Sequence, residues 1–199
     1  MRKILSKKDR EKKDSRNKTI VGVILVIIMI FSTLGYAFYS SDDTDEDPGE
    51  KVITYSGINF IKTDYDTYRF KYGGRDYETY YNPEDTENIS GQVTGIITNY
   101  ANEPLYFGVN SREDLSIPGN REILVNMQGL ILREMVSCLD EDCTENYPIK
   151  NCTSDNIIIF KYGEDINILQ EDKCIYLYGP EEEHIRMADA FLFKLMKIQ

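Results

Sequence analysis

"TYRFKYGGRDYETYY", residues 67–81, reads as a β-hairpin, and the fold is read outward from it. Tyr68, Phe70 and Tyr72 alternate with charged residues, then Gly73 and Gly74 interrupt, then Tyr77, Thr79 and Tyr81 alternate again. A period of two places one residue set on one face of a strand, and a Gly-Gly pair supplies the left-handed turn that a tight hairpin needs. One face therefore carries a stripe of aromatics. Such a stripe serves either as a platform for carbohydrate or peptide, or as a core face with tyrosine hydroxyls at its wet edge, and the core reading is the expected one.

Strand-like segments continue on both sides. "VITYSGINFI" (52–61) precedes the hairpin, and "EPLYFGVN" (103–110), "NIIIFKYG" (156–163) and "KCIYLYG" (173–179) follow it, with "DINIL" (165–169) a short candidate between the last two. Helical signals interleave with them. "NPEDTENI" (82–89) offers Asn82 as an N-cap and Pro83 as the first helical residue. "NREILVNMQGLILREMVSCL" (120–139) carries Leu124, Met127, Ile131 and Met135 as one stripe, so a helix capped by Asn120 is predicted there. "GPEEEHIRMADAFLFKLMKIQ" (179–199) opens on Pro180 with acids in its first turn and places Ile185, Ala188, Leu192 and Leu195 toward a core. The expected fold is α+β: one exported domain over 52–199 with a mixed or antiparallel sheet and two main helices packed on it.

The N-terminus places this domain. Residues 19–39, "TIVGVILVIIMIFSTLGYAFY", contain no charge. As a helix they would span about 31 Å, the thickness of a hydrocarbon core. Residues 1–18 carry nine Lys/Arg and three acids, whereas 40–50 carry six acids and no base. Positive residues stay inside, so the expected order is a cytoplasmic tail (1–18), a transmembrane helix (19–39), an acidic linker (40–51) and an extracytoplasmic domain. A cleaved signal peptide, with Gly35 and Ala37 at its cleavage site, also puts the domain outside. Asp43, Asp45 and Asp47 have the spacing of a calcium loop, but Pro48 and Thr54 stand where that loop needs Gly and Glu, so the linker reads as a solvated spacer.

Four cysteines, Cys138, Cys143, Cys152 and Cys174, all lie in the exported part, where thiols pair. Of three connectivities the expected one is Cys138–Cys143 with Cys152–Cys174. Their spacing has no C-x2-C knuckle, and His184 is the only histidine, so neither a zinc site nor a low-pKa redox dithiol is expected.

Catalytic motifs are missing: no phosphate-binding glycine loop, no G-x-S-x-G and no H-E-x-x-H occur. No cofactor or metal is implied, and no catalytic residue is assigned. His184 follows three glutamates and is expected to be exposed. Asp189 falls on the core side of the last helix and needs a partner there, so it is the one candidate site residue, either a hydrogen-bond anchor or a member of a carboxylate pair. Asn88 ("NIS") is a candidate glycosylation site, while the second sequon, at Asn151, includes Cys152. Beyond residue 18 the chain holds 14 basic and 31 acidic residues, a net of −17, which excludes a phosphate backbone as partner of the main domain.

The segments "YSGINF", "YYNPEDTENI", "NEPLYF", "YPIKNC", "DKCIYLYG" and "MADAFLFKLM", in this order, resemble uncharacterised single-pass membrane-anchored proteins of small-celled archaea. The resemblance covers residues 53–198. It implies an exported domain with Cys152 and Cys174 as framework positions, and no catalytic residues. The expected function is a non-enzymatic binding or structural module of the cell envelope. Its partners would be membrane lipid, through 19–39, and an envelope protein or polymer. An envelope hydrolase using carboxylates, or a thiol-disulfide or metal protein, are the alternatives.

Overall fold

The computed structural model describes residues 20–25, 29, 51–111 and 115–199. The chain divides into two units, Met1–Gly49 and Glu50–Gln199. In the first, residues 20–25 and Met29 are helical. Among the described residues no helix is long and apolar enough to cross a membrane. Most of the span expected at 19–39 lies outside the described residues, as do the tail 1–18 and the linker from 40 to 50.

The second unit holds two sheets, where one was expected. The first is an antiparallel meander of β1 (Val52–Tyr55), β2 (Ile58–Lys62), β3 (Tyr68–Tyr72) and β4 (Arg75–Thr79). Gly73 and Gly74, at φ 57° and 79°, make the turn between β3 and β4, with Tyr72 opposite Arg75. The aromatic stripe is core: Phe70 and Tyr77 stack at 5.5 Å, and both are buried. Arg69 and Lys71, at the intervening positions, are exposed.

The second sheet has the order β6-β5-β7-β9-β8, built from β5 (Pro104–Val109), β6 (Arg133–Cys138), β7 (Asn156–Lys161), β8 (Asn167–Glu171) and β9 (Cys174–Tyr178). Strands β5, β6, β7 and β9 run parallel, and β8 pairs antiparallel with β9. Both outer edges are partly covered. Ser90 bridges to Asn167 beside β8, and Ile149 bridges to Cys138 at the end of β6.

Among the described residues of this unit, three α-helices accompany the sheets. Helix α1 (Pro83–Thr86) is one turn, closed by a capping box between Asn82 and Asp85. The apolar positions that follow it do not continue the helix: Ile89, Val93 and Ile97 are buried from an irregular segment, and Ile96 faces solvent. Helix α2 runs Ile117–Met127. It starts earlier than the predicted helix, because Ser116 caps it by accepting from Gly119 N–H and Pro118 sits in the first turn, where its missing N–H costs nothing. It also ends earlier. Gly129 takes φ 75°, and the chain then enters β6 in register with β5, Pro104 opposite Arg133. The predicted helix over 128–138 is therefore a turn and a strand: the parallel ladder along β5 outweighs a stripe of helix-forming residues.

Helix α3 (His184–Leu195) lies between the sheets and is buried on nearly every side. Its Phe193 meets Phe60 and Phe70 of the first sheet, and its His184 ring lies 4.8 Å from the Phe160 ring of the second. One core thus runs through both sheets and α3. Among the described residues no helix packs on the far face of the second sheet. There Tyr106, Ile157, Ile159 and Cys174 form a small second cluster with Leu139 and Cys152, which belong to the 139–155 loop. A parallel sheet needs both faces covered. Here the loop supplies the second cover, held at one end by Cys138–Cys143 and at the other by Cys152–Cys174.

Candidate functional site

The parallel strands give the second sheet a topological switch point. After β5 the chain crosses through α2 to β6 on one side, and β7 pairs on the other side of β5. In open sheets of this kind the crevice outside the carboxyl ends of such strands is where ligands bind. A cavity of about 400 Å³ lies there. That is within the range of small-molecule sites. Gly108, Val109 and Asn110 line it from the end of β5, and Phe160, Lys161 and Tyr162 from the end of β7. Leu115 and Ser116 enter from the start of α2, Leu139 from the stapled loop, and Glu181 and His184 from the approach to α3.

Two glycines set its walls. A Cβ on Gly119 would stand 2.4 Å from the Phe160 ring, so only glycine lets the first turn of α2 lie on that ring. A Cβ on Gly108 would come within 3 Å of Leu139, Ile159 and Ile157.

His184 was expected to be exposed; it is 9% exposed. Its ring is held by α3 and by Phe160, and its Nδ1 lies 2.7 Å from Ser116 Oγ. That hydroxyl also accepts from Gly119 N–H at 3.3 Å. In the Nδ1–Oγ bond either atom can donate, according to the ring's tautomer. Burial holds the imidazole below its usual pKa. A backbone hydrogen bond to Gly179 and the carboxylates Glu181 and Glu182 oppose that shift without reversing it. Burial thus favours the neutral ring.

Ser116 and His184 are not a nucleophile and its base. The serine hydroxyl is committed as a helix cap, and it meets Nδ1, the nitrogen that a third, orienting group occupies in a catalytic triad.

Asp189, expected on the core side of the last helix, is fully buried. Its Oδ2 accepts from Tyr81 N–H at 2.9 Å. Its Oδ1 has no hydrogen-bond partner, and its electrostatic neighbour is the Glu122 carboxyl of α2; two carboxyls set together out of water keep a proton between them. Burial, then the Glu122 charge, holds Asp189 well above the usual carboxylate range, and burial raises Glu122 too. Asn126 completes the network: its Nδ2 donates to Glu122 Oε1 and to Glu78 O, and its Oδ1 accepts from Glu78 N–H. A carboxylate pair is therefore present, but Asp189 has no exposure and lines none of the cavities described. It joins α2, α3 and the first sheet and does not face a substrate.

The remaining expected positions are plain. Cys138 pairs with Cys143 and Cys152 with Cys174, so no cysteine is free. Cys138 ends a strand, not the helix expected there. Asn88 is exposed and accepts from Arg186 through Oδ1 at 2.7 Å. Two more cavities flank α2, but their ionisable side chains, Arg121, Arg133 and Glu134, are exposed. Comparison with known proteins returns no matching family model, no similar curated protein and no similar solved structure.

Proposed function

We propose that this chain is a single-pass membrane protein with a cytoplasmic N-terminus, whose exported domain is a non-enzymatic binding module of the cell envelope. The ligand enters the cavity at the carboxyl ends of β5 and β7. The observation that carries this reading is the cavity of about 400 Å³ at the carboxyl ends of β5 and β7, where open sheets of this kind bind ligands, with Ser116, Lys161, Glu181 and His184 in its walls. The two disulfides support an oxidising compartment. The uncharged run at 19–39 and its asymmetric flanks support the anchor and its direction.

Two measurements test the proposal. Alkylation of the denatured, unreduced protein from its own membranes should label no cysteine; four labelled thiols would place the domain inside. Titration of the isotope-labelled full chain in micelles with a fragment collection should shift amides of Asn110, Ser116, Lys161 and Tyr162 together. Shifts that cluster elsewhere would remove the cavity as the binding site.

A further inference from the structure

We infer that the outer edge of β6 takes up an extended acidic segment of a partner protein as a further strand of the second sheet. No residue of β6 lines the cavity at β5 and β7, so the two sites stand or fall separately.

The edge itself comes first. Cys138 turns away from β5: its N–H donates to Pro148 O at 3.0 Å, and its carbonyl accepts from Lys150 N–H at 2.9 Å. Backbone groups alternate along a strand, so Val136 and Glu134 turn the same way. The register agrees, because Pro104 opposite Arg133 has no N–H, which leaves Arg133 and its alternates to face β5. The 139–155 loop thus fills the next strand position only beside Cys138. The outward N–H and C=O of Glu134 and Val136 meet no group among the described residues. The opposite edge is closed: Ile168 N–H of β8 donates to Ser90 O, and Gly91 lies against the Ile168 carbonyl. An open edge is a template for a strand of another chain.

A groove runs beside this edge, between β6 and α2. It holds two cavities, of about 370 and 400 Å³, which share Arg121, Leu124 and Glu134 as walls. Alternate side chains of an added strand stand about 7 Å apart on one face, so successive ones can enter the two cavities. Phe107, Ile117 and Val136 line one, and Val125, Ile131 and Leu132 the other, so both suit apolar side chains. Ile117 and Leu132 are 69% and 64% exposed, and a strand laid here would cover them.

The charge of the partner follows from Arg121 and Arg133. Both are exposed at the groove, and neither has a partner among the described residues. The other described arginines of this unit are engaged: Arg69 with Glu78, Arg75 with Gln128 O, and Arg186 with Glu183. Acids outnumber bases 31 to 14 beyond residue 18, yet these two guanidiniums are left over on one groove. Glu134 is the one acid in its walls, so the groove stays net positive. Carboxylates of an incoming strand are the groups that guanidinium forks pair best.

The test uses capped hexapeptides on the full chain in micelles, with backbone amides as readout. One peptide alternates valine with glutamate. The second has lysine for glutamate, and the third is the first with every backbone nitrogen methylated. The glutamate peptide should shift the Glu134 and Val136 amides saturably and slow their hydrogen exchange. The lysine peptide should bind at least about ten-fold more weakly, and the methylated one should not bind. Arg121→Ala/Arg133→Ala should keep the melting temperature and weaken the glutamate peptide about ten-fold. If the lysine peptide binds as tightly, the acidic partner is overturned. If groove amides shift while exchange at Glu134 and Val136 is unchanged, no strand is added and the inference fails. If those two amides are already protected without peptide and the chain sediments as a dimer, a second copy fills the edge instead. If nothing moves at about 1 mM peptide, the edge takes no such strand.

Discussion

Asp189 and Glu122 make the residue scale the most sensitive to pH. Both carboxyls titrate higher in the folded chain than in the unfolded one, where an aspartate sits near about 3.9. Below that value both states hold the proton, and its contribution to stability is complete. As pH rises above it the unfolded chain releases protons that the folded chain keeps, so stability falls until the folded groups titrate. Inside that window each pH unit removes about 1.4 kcal/mol per retained proton. Asp189→Asn keeps an oxygen for Tyr81 N–H and offers Glu122 a permanent N–H. The variant should unfold at a higher temperature than the parent near neutral pH and show a flatter decline above pH about 4. Parallel melting curves for the two proteins across that range would refute the shared proton. His184 titrates in the opposite sense, because burial depresses it. Its imidazole should titrate below the usual value of about 6.5 in nitrogen-correlated spectra. A ring that titrates at or above that value would contradict its enclosure. Asp189 was legible in the sequence because a carboxylate at the core spacing of an apolar helix demands a partner. Glu122, its partner, was not. It sits among charged neighbours on another helix, and only the packing of α2 on α3 brings the two together.

At the scale of elements, α2 shows where local pattern and tertiary pairing diverge. The helical stripe in the sequence is continuous through Met135, yet the helix stops at Met127 and the same run continues as an edge strand. Leu124 and Met127 meet the core, while Met135 is 37% exposed. Periodicity alone cannot see that β5 needs a neighbour on that side. The β3–β4 hairpin was legible because Gly-Gly and alternating aromatics fix it locally, whereas the split into two sheets was not, since nothing in a strand's own residues names its partner. The start of α2 gives a test. Gly119 touches Phe160, and the Ser116 cap that aims at His184 depends on that contact. Gly119→Ala should gain helix propensity yet lose about 1–3 kcal/mol through the clash with the ring. The loss would show in the melting temperature, together with a change in the His184 nitrogen shifts as Ser116 withdraws. A variant as stable as the parent with unchanged His184 shifts would mean that the first turn can move off Phe160 freely.

At the scale of the whole molecule, the second unit is one core with an unequal second cover. Helices α2 and α3 protect one face of the parallel sheet, and on the other face the 139–155 loop stands where a helix would be. Lys150 holds that loop down, its ammonium 4.5 Å from the Tyr106 ring and 3.0 Å from Asp155. The disulfides fasten its two ends. Cys152–Cys174 joins residues 22 apart, and opening a ring of that size costs about 3 kcal/mol of stability. Cys138–Cys143, with a separation of 5, closes a smaller ring and contributes less. Reduction should therefore act locally before it acts globally. Backbone amides of Tyr106, Ile157 and Ile159 should lose protection from hydrogen exchange, while Phe193 and Leu192 in α3 keep theirs. Cys152→Ser/Cys174→Ser should reproduce the effect and Cys138→Ser/Cys143→Ser should give a weaker one. Leu139 belongs both to this loop and to the cavity wall, so the double Cys152/Cys174 variant should also weaken any ligand held there. Equal loss of protection in α3 and in the stapled face would show instead that the loop belongs to one cooperative unit with the core.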